Sequence, residues 1–448
     1  MKNDEFHATF TLRQHTPMIH FQADQPGALL RASELKPAFD NYLWRNVFKI
    51  GANTERNKII FEENKAYLAG YSQNRDKDVW QEFEQQNWAL DYRVRIDYDL
   101  DKVKPTSIPP KFPCFFGDMG DQQPSITRKF TQIDGDFTVT FACFHSELVE
   151  VIRRYFADFL RTKNFGLRQS KGFGCFTAQI SNRSVVPLQA HNAYFFRVDG
   201  LRTNDLFKHI ELFWRVLRAG YNRPDGQGRT VIYVKCPLFF YLRDQWHIDV
   251  AATKAPEEFK ARMIGKSVQW DKRSIKQAYF STELARQQSK PSHLDILEGY
   301  STQSDNDRYF LFRDLLGLSS ESQWKSYSAT IKKVHRPQKG QETIDRFKSP
   351  VTFKPIQNGN GYDVYVCIRP IPPEFGNQAF SIQRGKENRL TLETPPPGSF
   401  KITDYFEYVR KEIADKIVDA DRQVVTLNDE RDPDWLKIVA IFESFRKI

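Results

Sequence analysis

Apolar side chains fall on alternate positions from Phe6 to Arg13, where Phe6, Ala8, Phe10 and Leu12 face one way. That period predicts a half-buried strand. A polar turn carrying Asp24, Pro26 and Gly27 follows. From Leu30 to Val47 the spacing becomes helical, with Leu35, Phe39, Tyr42 and Leu43 along one side and Pro37 near the start, where proline is tolerated. Tyr92 to Tyr98 alternates strictly and predicts a strand, whereas the proline-rich stretch 101–126 reads as a surface loop. Phe137 to Phe144 is a further strand, and Ser146 is placed to cap a helix from Glu147 to Lys163. Leu148, Ile152, Tyr155, Phe156 and Phe159 give that helix one apolar face. Cys175 to Ile180 returns to strand character.

The second half begins similarly, with an aromatic strand over Ala193–Val198 and a helix Asp205–Ala219 capped by Asn204. Leu206, Ile210, Phe213, Trp214 and Leu217 form its buried stripe. Val231–Tyr241 reads as a strand, as do residues 350–356, 362–368 and 390–392. Residues 400–418 and 434–445 read as closing helices. The order strand, helix, two strands, helix, strand is that of a ferredoxin-like unit. The expected class is therefore α+β, with two ferredoxin-like domains: residues 1–185, and residues 190–448 with a helical insertion around 250–330.

Composition adds charge to this picture. The 448 residues carry 66 Lys and Arg against 56 Asp and Glu, a formal net charge of +10. Such a balance favours polyanionic partners, because Lys and Arg displace the counterions of phosphates. Cys114, Cys143, Cys175, Cys236 and Cys367 lie far apart with no CxxC pair, which argues against a zinc site or a disulfide scaffold. No metal or cofactor is expected. The absence of a signal-like or long apolar stretch gives a cytoplasmic expectation with no membrane partner.

The run Gly166-Leu167-Arg168-Gln169-Ser170-Lys171-Gly172-Phe173-Gly174-Cys175-Phe176 sets Arg168 and Lys171 among three glycines. Glycine lets backbone amides approach a phosphate, and the cations neutralise it; a tight helix-to-strand turn is the simpler alternative. It lacks the spacing of a nucleotide-triphosphate loop. Arg31, Ser33 and Lys36 open the first helix, whose N-terminus already favours anions. The segment Arg218–Arg229, which holds Arg218 and Arg223, is a second cationic, glycine-rich connection or an ordinary solvated one.

The Arg31-x-Ser33-x-Leu35-Lys36 helix start and the later basic glycine-rich loop together resemble the RAMP superfamily of CRISPR-associated proteins. The run Asp345-Arg346-Phe347-Lys348-Ser349-Pro350 is similar to an Arg-x-x-Ser-Pro strand found late in the first RAMP subunit of type III-B (Cmr) effector complexes. Glu34 and Pro37 depart from that family's helix start. The resemblance implies an architectural subunit that contacts the 3′ part of a guide RNA and its target RNA beside other type III effector subunits, in antiviral defence. Carried over by motif, Arg31, Ser33, Lys36, Arg168, Lys171, Gly172, Gly174, Arg346, Lys348 and Ser349 would meet RNA.

Two catalytic alternatives stay open. In related subunits an aspartate after the first strand supports target RNA cleavage, and Asp24 stands in a comparable place, although beside proline it also suits a plain turn. A guide-repeat-processing endoribonuclease would need a general base and a proton donor; His15 and His20 stand near the first helix, and Tyr42 lies on it. Neither pairs convincingly with a proton donor.

Overall fold

The computed structural model describes residues 5–19, 29–51, 53–71, 79–84, 88–109, 112–114, 129–179, 193–246, 267–269, 271–286, 307–324, 327–338 and 340–448. The chain is a mixed α and β protein built on several small, mainly antiparallel sheets.

In the N-terminal half, β1 (His7–Gln14), α1 (Ala32–Tyr42), β2 (Arg93–Asp97), β3 (Asp136–Ala142), α2 (Ser146–Thr162) and β4 (Phe176–Ala178) follow in sequence. The strands lie in the order β2-β3-β1-β4. Register between β1 and β3 pairs Phe10 with Val139 and Leu12 with Phe137, so the apolar alternation of both strands falls on one face. Phe39 from α1 and Phe156 from α2 pack there, their rings 5.3 Å apart. The opposite face carries Thr9, Thr11, Arg95 and Arg13, the last paired with Asp136 at 2.8 Å.

The C-terminal half repeats the same order. β5 (Ala193–Asp199), α3 (Thr203–Ala219), β6 (Val351–Asn358), β7 (Gly361–Ile368), α4 (Pro433–Ser444) and β8 (Arg446–Lys447) form a sheet ordered β6-β7-β5-β8. Leu206, Ile210, Phe213 and Leu217 of α3 are fully buried against it. Between α3 and β6 stand a hairpin (Tyr221–Pro224 and Thr230–Val234), the helices Pro237–Trp246 and Asp271–Arg286, and the strands Glu321–Trp324 and Ala329–His335. Buried ion pairs tie this segment down: Arg313 to Asp271 at 2.8 Å, and Lys333 to Asp314 at 2.6 Å.

Several local expectations are corrected. Ser146 is the first residue of α2 rather than its cap; His145 takes that position without a side-chain bond. Asn204 likewise lies inside α3, whose cap position is Arg202. Stretch 101–126 contains a strand, Val103–Ser107, paired with Lys129–Ile133. Val231–Tyr241 is divided: the strand ends at Val234 and a helix starts at Pro237, since proline's fixed φ suits a first helical turn. The Arg218–Arg229 segment is a helix end and a hairpin, closed by Arg229 on Asp225 at 2.7 Å, rather than a loose loop. Phe6 precedes β1 and stays 47% exposed, beside the 90% exposed Phe144.

The two halves share a core. Ile19, Phe112, Phe130 and Phe173 of the first half belong to the apolar cluster of the second. Phe173 stacks on Phe207 of α3 with ring centroids 3.9 Å apart. The seam is polar beside this contact. His15 Nδ1 accepts the Gln357 N–H at 3.1 Å, which leaves the proton on Nε2 to be donated to Thr177 Oγ1 at 2.7 Å. Burial, with Lys354 and Arg13 nearby, holds this imidazole down at about 3. The buried Lys354 donates to Lys163 O at 2.8 Å and Phe176 O at 3.0 Å.

Candidate nucleic-acid interface

The glycine-rich run lies in the seam, and its shape follows from crowding. Gly174 has φ +66, and a Cβ there would sit 2.0 Å from Phe165 O. Only glycine allows so close a backbone approach. Gly172, at φ +94, faces the Pro355 ring of β6, where a Cβ would come within 2.9 Å. The amides of these residues are already used: Gly174 N donates to Pro17 O at 2.9 Å and Gly172 N to Gln169 O at 3.2 Å. Thr16 Oγ1 donates to Gly172 O at 2.7 Å and accepts from Cys175 N at 3.0 Å. The glycines thus fit the loop into the protein, and neither amide is left for a phosphate. Phe173 and Phe176 are likewise core residues.

The cations of the run behave differently. Arg168 holds a left-handed backbone at φ +58 and is half-buried. Lys171 Nζ sits 4.6 Å from the centre of the Trp214 ring on α3, a cation–π contact. Among the described residues no carboxylate pairs with it. Burial lowers its pKa to about 8, countered in part by Cys114, with Arg218 and Arg168 lowering it further. Residues from both halves therefore concentrate positive charge here.

At the opening of α1, Arg31 takes the cap position and Ser33 is exposed. Lys36 instead faces inward: it binds Asp40 at 2.8 Å and Leu90 O at 2.7 Å, and lies 4.1 Å from the centre of the Tyr92 ring. Glu34 finds a use as well, accepting the Gly166 N–H at 2.8 Å and so tying α1 to the glycine-rich run. Arg218 bonds Gly317 O at 2.7 Å and Asp314 at 3.3 Å, an anchor for the segment between α3 and β6. Arg223 pairs with the buried Asp432 at the start of α4. Arg346 and Lys348 are exposed on the strand-and-turn leading into β6, whereas Ser349 Oγ accepts from Val351 N at 3.2 Å and shapes that turn.

The structure also gathers cations that motif reading did not nominate. Lys163 ends α2, and Arg369 follows β7, where its guanidinium donates to Thr162 O at 3.2 Å. Lys348 lies close enough to these two to act on Lys163's charge. Residues separated by some two hundred positions meet here, and no local pattern signals it. Of the catalytic candidates, His20 and Asp24 lie outside the described residues, and His15 is buried in the seam with both ring nitrogens bonded. Among the described residues, no group of three or more His, Cys, Asp or Glu is arranged to hold a metal ion, and no helix is long and apolar enough to cross a membrane.

Two family models match the chain. The Cmr1 N-terminal domain matches residues 5–221, and the Cmr1 C-terminal domain matches residues 233–432. No match was found among curated proteins. The two matched spans follow one another and take in the first sheet, most of the second, and the cations of the glycine-rich run. The chain thus belongs to the Cmr1 family, the RAMP subunit of type III-B CRISPR effector complexes.

Proposed function

We propose that this Cmr complex subunit binds RNA as an architectural component, contacting the 3′ part of the guide and its target in antiviral defence, in the cytoplasm and without catalysis of its own. The halves, divided as residues 1–185 and 190–448, act as two ferredoxin-like domains; the shared strand order of their sheets supports that description. The observation carrying the RNA reading is Lys171: a half-buried ammonium over the Trp214 ring that forms no ion pair among the described residues, with Arg168 adding like charge and Glu211 the acidic neighbour acting on it. A desolvated ammonium without an ion pair is costly in the free protein, and a phosphodiester backbone supplies counter-charge. Arg31, Ser33, Arg346 and Lys348 extend the contact. Gly172 and Gly174 serve it through the loop's shape.

The test is a salt-dependent gel shift with single-stranded RNA. Replacing Arg168→Ala together with Lys171→Ala should weaken binding and lower the slope of log affinity against log salt by about 1.4, two contacts at about 0.7 each. Unchanged binding and slope would remove the loop cations from the interface. Cleavage through Asp24 is the competing reading: labelled target RNA cut by the assembled complex, and left intact with Asp24→Ala, would establish it.

A further inference from the structure

A second group of cations is built from both halves, beside the seam. Lys163 stands at the end of α2. Arg369 reaches that helix end from the other half, its guanidinium on Thr162 O at 3.2 Å. Its backbone N–H bonds Pro350 O at 2.9 Å, which fixes Arg369 beside the turn bearing Lys348. The geometry is rigidly held: Lys163 O accepts from the buried Lys354, and the next residue, Asn164, donates to Phe353 O at 2.8 Å. Lys348 and Arg369 are exposed and Lys163 is half-buried, so the group is open to a ligand.

Among the described residues none of the three forms an ion pair. Burial lowers the pKa of Lys163, and Lys348 and Arg369 lower it further. Burial and Arg369 likewise lower that of Lys348. The acidic neighbour acting on Lys163 is Glu34, whose carboxylate already accepts the Gly166 N–H. Three mutually repelling cations held on a fixed frame, one of them a planar guanidinium, suit a tetrahedral oxyanion. Lys163 and Lys171 bracket the same loop, so a ligand with regularly repeated charge can engage both groups where an isolated carboxylate engages one.

We infer that Lys163, Lys348 and Arg369 form a binding site for a backbone phosphate of single-stranded RNA where the end of α2 meets the β6–β7 pair. The site rests on the RNA-binding reading above and adds Lys163 and Arg369 to it. It also gives the Arg-x-x-Ser-Pro segment a physical role, in which Ser349 and Pro350 set the turn and Lys348 meets the anion.

The test uses the full chain and a fluorescent oligouridine RNA, titrated between about 50 and 200 mM salt. The triple variant Lys163→Gln, Lys348→Gln, Arg369→Gln is expected to weaken binding about tenfold or more and to lower the salt slope by about 0.7, the share of the one phosphate the site holds. Because Arg369 also holds the helix end, the double variant Lys163→Gln, Lys348→Gln is measured beside it and should weaken binding in the same direction, with a slope loss of up to about 0.7. In the unaltered protein, bound RNA should protect Lys163 and Lys348 from acetylation. If the variants and the acetylation pattern show no effect while Arg168→Ala with Lys171→Ala still weakens binding, this site is wrong and the RNA reading stands. If the unaltered chain binds no RNA, both fall. If the triple variant keeps RNA but loses polyglutamate, the site serves an acidic protein and the inference is overturned.

Discussion

The glycine-rich run and the corner formed by Lys163, Lys348 and Arg369 are neighbours with opposite character. In the run, backbone groups find partners within the protein and the glycines abut backbone or proline at under 3 Å from a notional Cβ. At the corner, three cations act on one another's charge, and none of them forms an ion pair among the described residues. The run is therefore a device for fit, and the corner is a device for charge. A sequence motif marks the first because fit demands particular residues at particular places. Charge demands only proximity in space, and its residues are scattered along the chain.

The strongest way to break this contrast is to crowd the run. Gly174→Ala should destabilise the protein by more than about 4 kcal/mol, through backbone overlap and a left-handed φ, and show as loss of the folded state in urea unfolding. A tolerated alanine would mean that the loop has slack and could reshape around a ligand. Next in size is the acid response of His15. Its folded pKa of about 3 lies below the ordinary 6.5, so the unfolded chain binds more protons between those values. Stability should accordingly fall by about 2–4 kcal/mol as pH drops from about 6.5 to about 3. His15→Gln, which retains a donor and an acceptor, should flatten urea midpoints over that window.

The charge side is tested by smaller changes. Arg168→Ala with Lys171→Ala should cost about tenfold in RNA affinity at low salt, read by fluorescence anisotropy, with stability little altered. Smallest is Ser33→Ala: exposed at the start of α1, it should change stability by less than about 0.5 kcal/mol. Its RNA affinity should move by about twofold at most, since a neutral hydroxyl adds little beside the cations.

Much of the fold was legible because it rests on period. Both principal helices, α2 and α3, sit where apolar spacing placed them, and so do β1, β3, β5 and β7. The boundaries that failed depended on single polar residues: Ser146 and Asn204 have the chemistry of caps but lie inside their helices. The break between Val234 and Pro237 was hidden by an uninterrupted apolar run, which suits a buried strand or a buried helix equally. At the site, motif order located the glycine-rich run and drew attention to Lys171. It could not tell that Lys36 turns inward to Asp40 and Tyr92, or that Arg218 anchors Asp314 and Gly317 O. Those outcomes depend on what packs above each side chain, and so does the meeting of Lys163 with Arg369.

The shared core has a consequence for how the molecule is made. Phe173 is synthesised before its stacking partner Phe207, and Thr177 and His15 before Gln357. The first half leaves the ribosome with an apolar surface that only later residues can cover. Until α3 and then β6 arrive, that surface is a liability for aggregation during translation. Separate production of the two halves would leave it exposed permanently, so they should dissolve and function only when produced together.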